Sequence, residues 1–399
     1  MIIREKYLSK IRPFYNQDLI KVIMGIRRCG KSVILLQIIE ELKKMGIPES
    51  QIIYINFEYE DYAFIQNDID LHNYIKEKIV NEDKYYLFFD EIQNVKNWEK
   101  AVNSFKASKN VSIFITGSNS DLLSGELATH LAGRYVSFKV YPFTFGEVCE
   151  LKNITDKKEI EDAFNDYIMW GGLPQRFMLT DEMQTRTYLS DIYNSIIVKD
   201  IITRFNIKDL DLFNRIVEYI VTTPSQNFSA ESLCGYLASK EEREVSKVTL
   251  YNYIEYMTKA MIINKADRYD VRGKRILIGK YKYYLTDLGI GQVMNTGKRL
   301  QLGAYLENIV YNELISRGYD VKVGNLEKGE IDFIATRAKE KIYIQVAYIL
   351  ADETVVEREF GAYKGIEDNY PKYVLTMDKF DFSQDGIIHK NVVDWLLEK

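Results

Sequence analysis

The residues of this chain best suited to chemistry form a glycine-rich loop near its amino terminus. Residues 25–32 read GIRRCGKS, which fits the spacing Gly-x4-Gly-Lys-Ser/Thr. Glycines in such a loop let backbone amides turn toward phosphate oxygens, and the following helix adds the positive end of its dipole. The spacing therefore predicts a phosphate-binding site made by Gly25, Ile26, Arg27, Arg28, Cys29, Gly30, Lys31, Ser32 and Val33.

Two acidic residues after an apolar strand supply the second half of this chemistry. Residues 85–89 are apolar, as in a parallel strand buried on both faces, and Asp90 and Glu91 follow at its carboxyl end. We expect Lys31 to reach the β- and γ-phosphates of ATP, and Ser32 and Asp90 to hold Mg²⁺. Glu91 is then expected to polarise the attacking water molecule.

Polar residues at the ends of neighbouring strands are candidates for assisting roles. Asn56 ends the strand between the two motifs and is predicted to hold Glu91 in an idle state. Thr116, Ser118 and Asn119 end the strand after Glu91, where a polar side chain can sense the γ-phosphate. We therefore place Ser118 among the nucleotide-binding candidates.

Arg134 is the candidate for a second catalytic role. It follows a helix-like stretch, and an arginine in that position can stabilise the charge of a transition-state phosphate. Such an arginine finger acts within its own chain or on a neighbouring subunit, and the sequence leaves both open. The alternative for Arg134 is a structural salt bridge.

The composition of the chain limits the classes of protein to consider. Its 399 residues predict two or three domains, and 46% hydrophobic with 28% charged residues is typical of a soluble globular protein. Three cysteines and three histidines are too few for a disulfide framework or a zinc site. The apolar runs are too short to span a membrane, and the charged amino terminus is unlike a secretory signal. We expect a cytoplasmic protein.

The middle of the chain, residues 206–295, has the pattern of a winged helix. Two short helical stretches and a longer one precede a basic, strand-like stretch. Residues 225–300 hold 13 Lys or Arg against 8 Asp or Glu, in a chain of net charge −5. The segment VSKVTLYNY and the basic residues of 265–282 would then contact DNA. However, Lys247 is the one basic residue in VSKVTLYNY, so a protein-binding or lid module is the alternative.

The last segment, residues 296–399, combines an amphipathic helix with two strands that carry acidic or polar residues. Glu307 lies on the helix, and Asp332 lies in the strand-like stretch GEIDFIA. Gln345 and Ala347 follow in the stretch IYIQVAY. A metal-dependent nuclease of the restriction-enzyme type would carry a glutamate and a lysine at these last two positions.

The amino-terminal half resembles the AAA-type ATPases of the archaeal-ATPase group, near the signal-transduction ATPases with numerous domains. Six stretches carry the resemblance in the expected order: GIRRCGKS, LFFDEIQ, ITGSNSDLL, LAGRY, YPFTFGEV and WGGLP. The resemblance covers about residues 15–205 and implies an α/β ATPase domain with a lid over residues 1–205. It also implies that Pro174, in the Gly172-Leu173-Pro174 element, lies near the adenine or in the lid.

The last segment resembles the core of the PD-(D/E)XK nucleases, with Glu307, Asp332, Gln345 and Ala347 at the matching positions. Active members need a carboxylate on the last strand to share Mg²⁺ with the aspartate, and a lysine to position water. Gln345 and Ala347 supply neither. The resemblance therefore implies a nuclease-like α/β fold that has lost cleavage.

These expectations combine into a Mg²⁺-dependent ATPase that acts as a molecular switch. ATP would hold one arrangement of its parts, and hydrolysis would release it. The partner is DNA, through the winged helix, or another protein, through the carboxyl-terminal domain. The alternatives are a signalling or defence ATPase with protein partners alone and, third, an ATP-regulated nuclease. No membrane contact is expected, and oligomerisation is left open.

Overall fold

The computed structural model describes residues 2–118, 133–241, 243–294, 301–327 and 329–398. It divides into two compact units, which comprise Met1–Tyr141 with Lys259–Met261 and Pro142–Thr258 with Ile262–Lys399. Each unit contains one sheet together with helices, so the predicted mixed α/β fold is confirmed. The predicted division into three domains, with boundaries after residues 205 and 295, stays a prediction.

The first unit is built on a parallel sheet of five strands in the order β2–β3–β4–β1–β5. Its strands are β1 (Ile20–Met24), β2 (Ile52–Asn56), β3 (Tyr85–Asp90), β4 (Val111–Gly117) and β5 (Tyr135–Lys139). Every residue of β1 and β3 is buried, which explains why their sequences are apolar apart from Lys21 and Asp90. The order places β4 between β1 and β3, so the carboxyl ends of these three strands lie side by side.

Helices connect the strands of the first unit along the chain. They are α1 (Glu5–Ile11), α2 (Lys31–Lys44), α3 (Asp68–Lys78) and α4 (Trp98–Ser108), with short 3-10 turns at Arg12–Phe14, Glu49–Gln51, Glu60–Tyr62 and Ile92–Asn94. The apolar residues Ile34, Leu35 and Ile38 of α2 are fully buried and recur at helical spacing. Helix α2 therefore starts directly after the glycine-rich loop and is fixed by its apolar side.

Ten further helices lie along the described part of the chain after β5. They are α5 (Phe145–Lys152), α6 (Lys157–Trp170), α7 (Glu182–Ser195), α8 (Leu210–Thr222), α9 (Ala230–Glu241), α10 (Lys247–Lys259), α11 (Leu288–Met294), α12 (Leu302–Ser316), α13 (Glu353–Gly361) and α14 (Val392–Leu397). A 3-10 turn spans Pro174–Met178, and a π-helical stretch over Ile196–Thr203 continues α7. Within the described ranges, the structure contains no helix long and apolar enough to cross a membrane.

The sheet of the second unit has eight strands in the order β13–β12–β11–β10–β9–β7–β8–β6. They are β6 (Asn227–Phe228), β7 (Ile263–Asp270), β8 (Arg275–Leu285), β9 (Asp320–Asn325), β10 (Glu330–Arg337), β11 (Glu340–Val346), β12 (Lys372–Thr376) and β13 (Ile388–Asn391). Strand β7 pairs antiparallel with β8 and parallel with β9. Strands of the predicted winged helix and of the predicted nuclease-like segment thus form one sheet.

Candidate functional site

The loop between β1 and α2 has the backbone shape that phosphate binding needs. A Cβ atom added to Gly25 would lie 2.2 Å from the carbonyl oxygen of Val140 and 2.6 Å from the sulfur of Cys29, so only glycine fits there. Arg28 and Gly30 adopt positive φ angles of 66° and 102°, which curl the chain just before α2 begins. The other predicted residues of the loop complete this curl and the first turn of α2.

A buried arginine from the start of the chain supports this loop. The Arg4 guanidinium donates hydrogen bonds to the carbonyl oxygens of Cys29, at 3.1 Å, and Tyr141, at 3.0 Å. The Cys29 thiol donates to the carbonyl oxygen of Val140 at 3.4 Å. Arg4 therefore ties the loop to the segment after β5. This role was not predictable from the sequence, because Arg4 stands among charged residues typical of a protein surface.

Lys31 and Glu91 form a buried ion pair at the centre of the site. The distance between Lys31 Nζ and Glu91 Oε1 is 3.2 Å, and the two side chains are 3% and 10% exposed. Lys31 Nζ also donates to the carbonyl oxygen of Gly25 at 3.2 Å. The predicted phosphate-binding lysine and the predicted catalytic glutamate thus neutralise each other in this structure.

The protonation states of this pair follow from burial and from mutual attraction. Burial lowers the pKa of Lys31, but the charge of Glu91, its hydrogen bond and the nearby Cys29 and Asp90 together outweigh burial, so the pKa lies above its usual value. Burial raises the pKa of Glu91, whereas the charge of Lys31 and a hydrogen bond from Gln93 lower it by more. Both groups are therefore charged at neutral pH.

Asp90, the last residue of β3, accepts hydrogen bonds from the two neighbouring strands and from the start of α2. Its Oδ1 atom accepts from the Thr116 hydroxyl, and its Oδ2 atom accepts from Tyr54 at 2.9 Å and from Asn56 at 3.1 Å. The Ser32 hydroxyl also hydrogen-bonds this carboxylate, whose pKa is raised by burial. The hydroxyl of Ser32 and the carboxylate of Asp90 are hard oxygen donors next to each other, a set that suits Mg²⁺.

The polar residues at the neighbouring strand ends have partly different partners from those predicted. Asn56, predicted to hold Glu91, instead donates to Asp90, because the two residues are paired in register on β2 and β3. Thr116 bridges both acids, since its hydroxyl also accepts the backbone N–H of Glu91 at 2.8 Å. Ser118 is buried just beyond β4, and Asn119 lies outside the described residues.

Arg134 lies at the other edge of the sheet. Its carbonyl oxygen accepts the backbone N–H of Ile20, the first residue of β1, whereas the glycine-rich loop follows the last residue of that strand. The length of β1 separates the two places by roughly 16 Å. The guanidinium donates to Asn103 on α4 at 3.4 Å. Arg134 therefore lies away from the glycine-rich loop in this structure, and its role toward a phosphate, in its own chain or in a neighbouring subunit, stays a prediction.

Pro174 belongs to the second unit, where its preceding glycines have a packing role. A Cβ atom on Gly171 would lie 2.0 Å from the Asp287 carboxylate, and one on Gly172 would lie 2.1 Å from the carbonyl oxygen of Phe143. The Gly172 backbone N–H donates to Asp287 at 2.7 Å, and burial raises the pKa of Asp287 to about 6. These contacts explain the glycines, and adenine binding by Pro174 stays a prediction.

A second buried charge cluster lies in the eight-stranded sheet. Lys282 on β8 places its Nζ atom 3.0 Å from Glu307, 2.6 Å from Glu330 and 3.8 Å from Asp332. Its side chain is 5% exposed, and Arg268 adds a second cation 2.8 Å from Glu330. The structure thus brings together the predicted acids Glu307 and Asp332, with a lysine that sequence reasoning did not connect to them.

The surroundings of Asp332 oppose metal binding. Its Oδ2 atom accepts the backbone N–H of Val346 at 2.8 Å, and its own N–H donates to Gln345 Oε1 at 3.0 Å. Burial, followed by the charge of Glu307, raises the pKa of Asp332 well above its usual value. A carboxyl group that keeps its proton is a poor ligand for Mg²⁺. Across the described ranges, no group of three or more His, Cys, Asp and Glu residues is arranged to hold a metal ion.

The basic residues of the predicted wing are mostly paired with acids. Of the seven in 265–282, Arg268 and Lys282 are buried in the cluster just described. Three exposed ones also have carboxylate partners, in the pairs Lys265–Asp267, Arg272–Glu327 and Arg275–Asp270. Lys247 on α10 pairs with Glu231. The positive charge that predicted DNA contact is therefore largely balanced within the protein.

Comparison with known proteins agrees with the first of these two sites. A family model described as "AAA domain" matches residues 17–149, which hold the glycine-rich loop, Asp90 and Glu91. A second model, described as a domain of unknown function (DUF8612), matches residues 161–301. The first unit therefore contains an AAA-type P-loop domain, as predicted.

Two relatives define the family of the whole chain. An uncharacterized protein of Haemophilus influenzae is 39% identical over 401 residues, covering 100% of this chain and 99% of that protein. An uncharacterized protein of Methanocaldococcus jannaschii is 34% identical over 363 residues, covering 88% of this chain and 79% of that protein. The chain belongs to the family that these two proteins represent.

A solved structure shares the fold at low sequence identity. The Walker-type ATPase PABY2304 of Pyrococcus abyssi superposes with a TM-score of 0.50 and 15% identity, over 74% of this chain and 96% of that one. This likeness concerns the fold alone.

The buried cluster around Lys282 generates a stability prediction. Lys282→Met should lower the free energy of unfolding at pH 7 by about 3–5 kcal/mol, because Glu307 and Glu330 lose a buried counter-charge. The loss should shrink toward pH 5, because burial raises the pKa of Glu307, which then gains a proton and needs the lysine less. Urea unfolding measures both effects. Lys274→Met, on the exposed turn of the same hairpin, is the matched control, and an equal effect of the two variants would contradict this account.

Proposed function

We propose that this chain binds ATP with Mg²⁺ and hydrolyses it, and that the cycle switches its state toward a partner. The observation that carries this proposal is one connected network at the carboxyl edge of the first sheet. It joins the loop lysine Lys31 to Glu91, and Glu91 through Thr116 to Asp90 and Ser32. The network contains the candidate phosphate-binding lysine, the candidate magnesium ligands and the candidate base for phosphoryl transfer to water.

The Lys31–Glu91 pair determines the order of nucleotide binding and water activation at this site. Lys31 must leave Glu91 to reach the β- and γ-phosphates, because its ammonium is engaged at 3.2 Å by the carboxylate. Glu91 is then released as a charged base to orient and polarise water. Ser32 and Asp90 would hold Mg²⁺, which neutralises charge on the phosphate oxygens when bound. The free protein thus keeps base and cation neutralised until nucleotide separates them.

The second unit supports a protein partner more than DNA. The order α8–β6–α9–α10–β7–β8 supports the winged-helix interpretation, and DNA contact is therefore the second candidate. However, the basic side chains of the wing are mostly engaged by carboxylates, which weakens attraction to a phosphate backbone. We assign the partner to the protein class, with the carboxyl-terminal segment as the docking region.

The carboxyl-terminal segment is proposed to be a nuclease-like fold without cleavage. Gln345 is used to hold the backbone of Asp332, so it has replaced a metal ligand by a structural hydrogen bond. Lys282 places an ammonium group among the remaining acids. An internal cation of this kind satisfies the carboxylates that a divalent ion would otherwise bridge.

The first test separates nucleotide binding from turnover. Lys31→Ala should weaken ATP binding about 10- to 100-fold, the worth of charged hydrogen bonds to phosphate. Glu91→Gln should slow hydrolysis about 100-fold or more while binding ATP at least as tightly, because Lys31 loses its competing carboxylate. Calorimetry and phosphate release measure these changes. Glu60→Gln, an exposed carboxylate on the same unit, is the control. Unchanged turnover in Glu91→Gln would remove Glu91 from the mechanism.

Arg134 generates a test of action between subunits. Its place at the far edge of the sheet predicts that activity per chain rises with protein concentration. Arg134→Ala chains mixed with Lys31→Ala chains should recover hydrolysis that neither has alone, since one supplies an intact loop and the other an intact finger. Asn103→Ala removes the contact of Arg134 within its own chain and should remain active. Full activity of the Arg134→Ala variant would contradict a finger role and leave Arg134 only a structural role.

The choice of partner is tested by DNA binding. We expect no shift of duplex DNA in a gel at low salt, and the double variant Lys274→Ala/Arg275→Ala should behave like the parent. A shift that weakens with salt and with this double variant would favour DNA as the partner instead. Lys157→Ala/Lys158→Ala removes two exposed lysines elsewhere on the second unit and controls for charge alone.

A further inference from the structure

The carboxylate of Glu91, the proposed base, is held at both of its oxygen atoms. Lys31 Nζ lies 3.2 Å from Oε1, and the side-chain amide of Gln93 donates a hydrogen bond to Oε2 at 2.5 Å. In the proposed mechanism, Lys31 leaves this carboxylate when it moves to the phosphates of ATP. The contact with Gln93 involves no phosphate-binding group, so it can hold the base after the lysine has left.

Gln93 lies in the 3-10 turn Ile92–Asn94, directly after the base. The turn is fixed on the protein by the apolar side chains of Ile92 and Val95, which are 0% and 1% exposed. Its last residue donates its backbone N–H to the carbonyl oxygen of Glu91 at 3.2 Å. The amide of Gln93 therefore extends from a backbone that is tied to the backbone of the base.

The backbone of Glu91 itself is held in a conformation that residues other than glycine rarely adopt. Its φ and ψ angles are 54° and 47°, in the left-handed region. The Thr116 hydroxyl accepts the Glu91 N–H at 2.8 Å and supports this conformation. Strain of this kind is concentrated at functional sites, where it fixes the direction of a side chain. Once the backbone is fixed, contacts at the two carboxylate oxygens decide where the carboxylate points.

The amide of Gln93 has one orientation that is compatible with Glu91. Nε2 must face the carboxylate, because an amide oxygen in its place would be repelled by Oε2. The other atom, Oε1, is buried and has no hydrogen-bond partner among the described residues. A buried acceptor without a donor costs stability. The amide is therefore explained by its contact with Glu91 rather than by the stability of the turn.

Asn56, the residue that the sequence suggested for this task, is engaged elsewhere. Its amide nitrogen donates to Asp90 at 3.1 Å, and its amide oxygen accepts the backbone N–H of Glu58 at 2.8 Å. Both ends of this side chain thus have partners other than Glu91. The amide that contacts the base comes from two residues further along the chain instead of from the neighbouring strand.

We propose that Gln93 is a positioning residue, which keeps Glu91 directed at the attacking water after Lys31 has moved to the phosphates. A general base must stay within hydrogen-bond reach of the water whose proton it accepts. The amide acts on turnover through Glu91 and takes no part in binding ATP. This inference rests on the proposed ATPase function and adds to it a residue that determines the geometry of the base.

The test replaces Gln93 by methionine, which has a similar length and no hydrogen-bond donor. In the full chain, Gln93→Met should lower kcat for ATP hydrolysis about 10-fold, the worth of one hydrogen bond to a charged group. The Kd for ATP should stay that of the parent, because the glycine-rich loop is untouched. Calorimetry measures binding, and phosphate release at saturating ATP and Mg²⁺ measures kcat. Gln66→Met makes the same change at an exposed glutamine of the same unit and should leave both values unchanged.

A double variant separates a positioning role from a general loss of structure. In a Glu91→Gln background, Gln93→Met should cause no further decrease in kcat, since the carboxylate through which it acts is gone. Release of labelled phosphate over long incubations measures these slow rates, and circular dichroism checks folding.

The possible outcomes separate this inference from the function on which it rests. If the parent hydrolyses ATP, three results would each overturn the role of Gln93 alone. They are a parental or higher kcat in Gln93→Met, an equal decrease with and without the Glu91 carboxylate, and a weakened Kd that accounts for the loss. A parent that does not hydrolyse ATP would overturn the proposed function and this inference together.

Discussion

The attraction between Lys31 and Glu91 is the interaction on which the first site depends. It keeps two charges buried that the sheet edge would not otherwise tolerate, and it links the glycine-rich loop to the end of β3. The Thr116 hydroxyl accepts the backbone N–H of Glu91 and donates to Asp90. A displacement of Lys31 therefore affects contacts at the ends of β1, β3 and β4. In the proposed mechanism, nucleotide binding and water activation are therefore parts of one rearrangement of charge.

Local patterns predicted the groups of this site, but not all of their partners. The spacing from Gly25 to Ser32 and the acids after an apolar strand are local, because a turn and a strand end place these residues without help from the rest of the chain. Asn56 was assigned to the wrong acid, since strand register decides which of two neighbouring carboxylates an amide reaches. For Arg134 the sequence did not show that a strand begins directly after it, so its place at the amino end of β5 was not predicted.

Partners supplied from far along the chain were not predictable in either unit. Nothing in the stretch around Lys282 distinguishes it from the surface lysines of a basic wing, and only the sheet order brings it to Glu307 and Asp332. Arg4 is similar, because it is buried by contacts with distant carbonyl oxygens that have no sequence signature. The departure of Gln345 and Ala347 from the nuclease pattern was visible in the sequence, but the contact of Lys282 with Glu307 was not.

The pairing of β7 with β9 joins residues 268–270 to residues 323–325 across a long intervening segment. On a ribosome, the hairpin of β7 and β8 emerges well before this neighbour, and until then β7 presents an open edge of amides and carbonyls to other chains. The same edge is exposed in any fragment that stops before residue 320. The protein therefore has a window of aggregation risk during synthesis, which closes only when its carboxyl-terminal third arrives.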